Sequence, residues 1–164
     1  MRLTFDILAW NALDMHDPHE LLARHLDQIP MVRAMRVSID RIDAGSLWLS
    51  APLSVNLNDK GCAFGGSLVA LATLAGWALV TARLREAGHE AEVFVADSEV
   101  KYRAPLWDDL RAEASAAEGA DWDDFLAVFA QKGRARIAIE ARVPRADGEV
   151  ATAMRARYVA IAKG

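Results

Sequence analysis

The residues best suited to chemistry lie in one stretch, Asn58-Asp59-Lys60-Gly61-Cys62-Ala63-Phe64-Gly65-Gly66-Ser67. Two adjacent glycines stand where a long apolar segment begins. Lacking a β-carbon, they let a ligand approach the backbone closely. At a helix start, the first-turn amides are unpaired and carry the positive end of the helix dipole. Such amides polarise a carbonyl oxygen, or hold the oxyanion formed when that carbonyl is attacked. Losing one good donor of this kind costs ~2.7–4 kcal/mol of transition-state stabilisation. Asn58, in the preceding loop, would orient a water or a carbonyl. The same residues have a plainer reading, in which Gly65 and Gly66 permit tight helix–sheet packing and Asn58 caps a turn. Spacing alone leaves both open.

Other reactive side chains are weaker candidates. Cys62 lies inside the stretch, but a thiol nucleophile needs an activating base or cation. Lys60 is near in sequence and no histidine is; His16, His19 and His25 are N-terminal and His89 follows in a loop. A packed cysteine is expected. Ser67 follows Gly-Gly without a Gly-x-Ser-x-Gly elbow, so it reads as a helix N-terminal hydroxyl. Asp121, Asp123 and Asp124 are acids at a helix start, which the dipole explains better than a metal does. Arg134, Arg136, Arg155 and Arg157 could meet phosphates. A solvated sheet face paired with Glu140 and Glu113 is the expected reading. Lys60, beside the loop, is the better phosphate candidate. Trp48, Trp77 and Trp107 read as core or interface residues.

The elements that must position this stretch can be read on either side of it. Asp17-Pro18-His19-Glu20 signals a helix start, with Leu21, Leu22, Leu26 and Ile29 as its apolar face and Pro30 as its stop, giving a helix over 17–30. Residues 1–16 are ambiguous, with a short helix as one option. Met35, Val37 and Ile39 alternate with polar residues, as do Leu47, Leu49 and Ala51. Asp43-Ala44-Gly45 turns between them, which predicts a hairpin. A helix follows over 67–86, ended by Gly88. It is apolar nearly all round, so it must be covered on most sides. Strands follow at 93–104, 110–116, 134–143 and 149–162. Between the second and third of these, a short helix carries Trp122, Phe125, Leu126 and Phe129 as its stripe and closes at Gly133.

Composition bounds the class. The chain has 164 residues, 53% of them hydrophobic, enough for one domain spanning 1–164. Nineteen basic against 23 acidic residues give a net charge of -4, which excludes a strongly basic nucleic-acid binder. A lone Cys62 excludes an intrachain disulfide and a multi-cysteine zinc site, and suits a reducing cytoplasm. Acids at Asp6 and Asp14 argue against a secretory leader. Residues 67–82 would reach only about 24 Å as a helix, against a hydrocarbon core of ~30 Å, so a buried helix is expected and not a membrane span. No metal and no organic cofactor is implied.

One long antiparallel sheet of about five to six strands wrapped around a central helix satisfies this order. That is an α+β chain of the hot-dog architecture. A sheet folded on one helix keeps open flanks, so a homodimer is expected. The motif carries a further resemblance. Asn-x-x-Gly-x-x-Phe-Gly-Gly, formed by Asn58, Gly61, Phe64, Gly65 and Gly66, resembles that of the acyl-CoA thioesterases of the hot-dog superfamily. The longer string APLSVNLNDKGCAFGGSLVALATLAGWALV is closer still to the thioesterase domain found C-terminal to some GNAT acetyltransferases, and also as a free-standing chain. Lys101-Tyr102-Arg103-Ala104-Pro105 resembles the strand end after the helix. The similarity runs over roughly residues 20 to 162.

The resemblance implies an acyl-CoA or acyl-carrier thioester as substrate. Water would attack a carbonyl held by the Gly65 amide, and Asn58 would place water or substrate. Phe64, Gly66, Lys60, Ser67 and Leu68 would bind, with the acyl chain beside Leu68, Val69 and Ala72. Many relatives have an Asp or Glu two helical turns beyond the glycine. That position is Thr73 here, whose hydroxyl could hold a water but cannot act as a base. A carboxylate would have to come from Asp59, or from Asp97 or Glu99 of the partner subunit. The alternative is a non-catalytic acyl-thioester binding or regulatory dimer. A hot-dog dehydratase fits poorly, because it needs a His–acid pair and no histidine occurs between His25 and His89.

Overall fold

A computed structural model describes residues 18–163. The cap expected at Asp17 and the ambiguous segment 1–16 lie outside the described residues. The first helix, α1 (Pro18–Asp27), is shorter than the 17–30 expected, and Pro30 opens a second helix, α2 (Pro30–Met35). The sequence pattern alone marks Pro30 as a stop. Its fixed φ and missing N–H suit the first helical position equally well. Arg36 then adopts φ 54, a left-handed cap that ends α2. Met35 therefore belongs to α2, and the strand expected from Met35 starts three residues later.

Strands β1 (Ser38–Ile42) and β2 (Ser46–Ala51) form the expected hairpin. A 3-10 turn at Leu53–Val55 leads through the motif loop into α3 (Gly65–Glu86). The helix starts at Gly65 and not at residue 67, so both glycines are helical. Then come β3 (Ala91–Tyr102), β4 (Leu110–Ala116), α4 (Trp122–Lys132), β5 (Arg134–Pro144) and β6 (Val150–Ala162). Asp121 caps α4 by accepting from the amides of Asp123 (2.7 Å) and Asp124 (3.0 Å), and Gly133 closes it at φ 64. The acidic trio is thus a helix start.

Among the described residues the strands form one antiparallel sheet, ordered β1-β2-β4-β5-β6-β3. It curls around α3, which lies against β2, β3, β4, β5 and β6. This is the hot-dog fold. By composition α3 is long and apolar enough to cross a membrane. In this fold the sheet covers it, and Leu68, Leu71, Ala75, Leu79, Val80 and Leu84 are buried. Each large apolar side chain so buried contributes about 1.5–3 kcal/mol.

The opposite sheet face is wet. Glu113 pairs with Arg142 at 2.6 Å and Glu140 with Arg155 at 2.9 Å, while Asp97 pairs with Arg157. The arginines at 155 and 157 thus lie in a solvated ladder, and Arg155 lines a trough of about 540 Å³ with Glu99, Lys101 and Arg103. Trp48 lies on this face between Arg41 and Arg111, each 5.4 Å from its ring.

One contact fixes α3 along the sheet. Tyr158 is fully buried and its hydroxyl donates to the Thr73 carbonyl at 2.8 Å. Burial pushes its phenol above the usual range. The ring passes over Gly76, where any β-carbon would collide with it.

Candidate active site

The loop before α3 is folded by Asn58. Its Oδ1 accepts from the amides of Lys60 (2.8 Å) and Cys62 (3.2 Å), and its Nδ2 donates to Cys62 Sγ at 3.1 Å. Its backbone N–H donates to the Cys62 carbonyl at 2.8 Å, and Gly61 takes the positive φ of 84 that the turn requires. Asn58 is therefore the organiser of the loop. Cys62 is buried beneath it. Asp59 and Lys60 point outward and pair with each other at 2.8 Å.

Two neighbours hold this loop against the start of α3. The Phe64 N–H donates to the Asn56 carbonyl at 2.7 Å, and the Ala63 N–H donates to the Leu106 carbonyl at 2.8 Å. Phe64 is the residue at the helix cap, with φ -67 and ψ 129, and it supplies no capping side chain. The first internal bond of the helix runs from the Leu68 N–H to the Phe64 carbonyl at 3.1 Å. The amides of Gly65, Gly66 and Ser67 thus form an uncapped first turn at the positive end of a 22-residue helix.

Aromatic rings lie on that turn and on the loop before it. Phe64 folds back over Gly66 so closely that a β-carbon there would strike its ring. Tyr102, at the end of β3, donates its hydroxyl to the Gly65 carbonyl at 3.3 Å. Its ring carbon would lie 3.4 Å from a β-carbon on Gly65. Trp107 is the third ring and borders Gly61. Phe64, Tyr102 and Trp107 are 54%, 58% and 59% exposed, so Trp107 is no core residue of this chain. Tyr102 was not among the expected site residues. Its signal was the Lys101-Tyr102-Arg103-Ala104-Pro105 string, which spacing could not connect to Gly65.

Along α3 the remaining candidates separate. Ser67, Leu68 and Ala72 are buried. Val69 and Thr73 are half-buried, on a stripe that continues to Trp77. The Trp77 indole N–H donates to the Val93 carbonyl at 3.1 Å, which turns this stripe toward β3. Thr73 lies about 12 Å along the helix from Gly65, at ~1.5 Å per residue. Its hydroxyl reaches Met154 Sδ at 3.6 Å, a weak acceptor. Asp97 and Glu99 point to the other sheet face, where Arg157 and Lys101 hold them. Within one chain, no carboxylate of β3 faces the α3 start.

The family model described as "Putative thioesterase (yiiD_Cterm)" matches residues 19–162, and the chain belongs to that family. A solved protein of unknown function from Chlorobaculum tepidum is 28% identical, with a TM-score of 0.81 over 89% of this chain and 94% of that one. A "putative thioesterase" from Shewanella oneidensis is similar at 23% identity and TM-score 0.78, covering 88% of this chain and 97% of the other. A protein from Pseudomonas aeruginosa described as a probable thioesterase gives 24%, 0.76, 91% and 99% for the same measures.

Proposed function

We propose that this protein hydrolyses an acyl thioester, with acyl-CoA or an acyl carrier as the thiol half. The uncapped amides of Gly65, Gly66 and Ser67 carry this reading. They would hold the thioester carbonyl and the oxyanion formed when water attacks it, after which the carbon–sulfur bond breaks and the thiol leaves with a proton. The acyl group would run along the half-buried stripe of Val69 and Thr73. The Thr73 hydroxyl stands about 12 Å along α3 from Gly65, too far to hold the attacking water for that carbonyl within one chain. The working unit would be a homodimer, since β3 is exposed along nearly its whole length at the sheet edge.

Gly65→Pro tests the central claim. Proline at the first helical position deletes one N–H and keeps the helix, and Phe64 already has the extended backbone that precedes proline. Thiol release from short, long and aromatic acyl-CoAs should fall about 10²–10³-fold in kcat, with the fold intact by circular dichroism. Wild-type turnover in the variant would remove the Gly65 amide from the mechanism.

One observation favours a second reading. Position 73 carries no ionisable group, and the β3 carboxylates face away. A dimer that binds acyl thioesters without turning them over fits that arrangement. Saturable binding of acyl-CoA with no thiol release from any substrate would decide for it.

A further inference from the structure

We propose that Trp77 ends the acyl path and limits the length of acyl group this protein takes. This rests on the thioesterase reading above and adds its substrate class, straight aliphatic acyl groups up to a fixed length. Burial along α3 draws the path. Gly65, Val69, Thr73 and Trp77 recur every four residues, on one face of the helix, and all four are half-buried. Residues 78–82, directly after Trp77, are all buried. The strip therefore begins at the uncapped amides and stops at Trp77, about 18 Å away at ~1.5 Å per residue. α3 carries no charged residue from Gly65 to Ala82. The one hydroxyl on the strip, that of Thr73, is turned to Met154 Sδ at 3.6 Å. A path of this kind suits methylene groups better than a charged chain.

Two ties close the ends of the strip against β3. Tyr102 donates to the Gly65 carbonyl at one end, and Trp77 donates to the Val93 carbonyl at the other. Ser98 and Val100 share the Tyr102 face of β3 by alternation. Ser98 is exposed and Val100 half-buried, so the strip stays open between the ties. Trp77 is fixed where it closes that opening. Its N–H is held by Val93, which is itself buried, and His25 of α1 meets its ring at a centroid distance of 5.0 Å. Swinging the indole aside would break that hydrogen bond and leave a part-buried N–H unpaired. A chain terminus thus meets a ring held from two sides. Each methylene short of it adds about fourfold to kcat/KM by burial. The first one too many costs about tenfold or more.

A chain-length profile tests this. Thiol release and binding are measured for saturated straight-chain acyl-CoAs from acetyl to stearoyl. Wild type is compared with Trp77→Leu, Trp77→Phe and Val69→Phe, each checked for fold by circular dichroism. In wild type, kcat/KM should rise about fourfold per methylene to a maximum and then fall. Trp77→Leu should move the maximum to longer chains. Relative to acetyl-CoA, it should gain about tenfold or more on the first chain beyond the wild-type maximum. Val69→Phe puts a ring nearer the amides and should move the maximum to shorter chains. Lost stability alone lowers the whole profile and produces no opposite shifts. Should Trp77→Leu fail to fold, Trp77→Phe keeps a ring against His25 and reads the same shift. An unmoved maximum in the folded Trp77 variants overturns the wall, as does a wild-type profile that rises through stearoyl. Thiol release with such a profile leaves hydrolysis standing and removes only the wall. Saturable binding that shifts with the same variants, without thiol release, refutes hydrolysis and keeps the wall. Neither binding nor release for any chain refutes both.

Discussion

Asn58 uses both ends of its carboxamide on its own loop, and that changes what its substitution reports. Loss of turnover in Asn58→Ala would follow from a collapsed loop as readily as from a lost substrate contact. Asn58→Asp separates the two. The carboxylate keeps the acceptor for the Lys60 and Cys62 amides and loses only the donor to Cys62 Sγ. Each hydrogen bond lost contributes about 0.5–1.5 kcal/mol. Asn58→Ala should therefore lower the thermal midpoint and thiol release together, while Asn58→Asp stays near wild type in both. Wild-type stability in both variants with turnover lost in both would give Asn58 a direct role in the reaction.

Between elements, the contact of Gly76 beneath Tyr158 is especially close. Gly76→Ala puts a methyl group into the ring and should cost about 1–3 kcal/mol, as overpacking does in a closed core. Tyr158→Phe keeps the ring and removes one hydrogen bond to the Thr73 carbonyl, a cost of about 1 kcal/mol. Denaturant midpoints of the two variants should rank in that order. This contact was not legible in the sequence, because 85 residues separate Thr73 from Tyr158. What was legible had a local cause. The α4 boundaries came from Asp121 and Gly133, and the strands from their alternation. Pro30 misled because proline ends one helix and begins another with the same ring. The start of α3 moved to Gly65 because glycine, read as loop, also enters a first turn. The site was legible as far as the motif reached; Tyr102 belongs to a strand 37 residues beyond Gly65.

At the scale of the molecule, α1 closes over the middle of α3 through His25, whose ring meets the edge of Trp77 at a centroid distance of 5.0 Å. Burial, then the charges of Arg85 and Lys163, hold the His25 pKa below its ordinary 6.5. The folded state thus binds this proton less well than the unfolded chain does. The contribution is fully present above pH 6.5 and is lost as pH falls from there toward the lower folded value. Thermal midpoints should decline between pH 7.5 and 5, with a shallower slope in His25→Gln; equal slopes would place the titrating group elsewhere. The sheet order has a consequence for synthesis. Among the described residues β3 pairs only with β6, the last of the six strands. While the ribosome makes the residues between them, β3 has both edges open, a state prone to aggregation. Its pairing is a late, long-range closure that waits on the final strand.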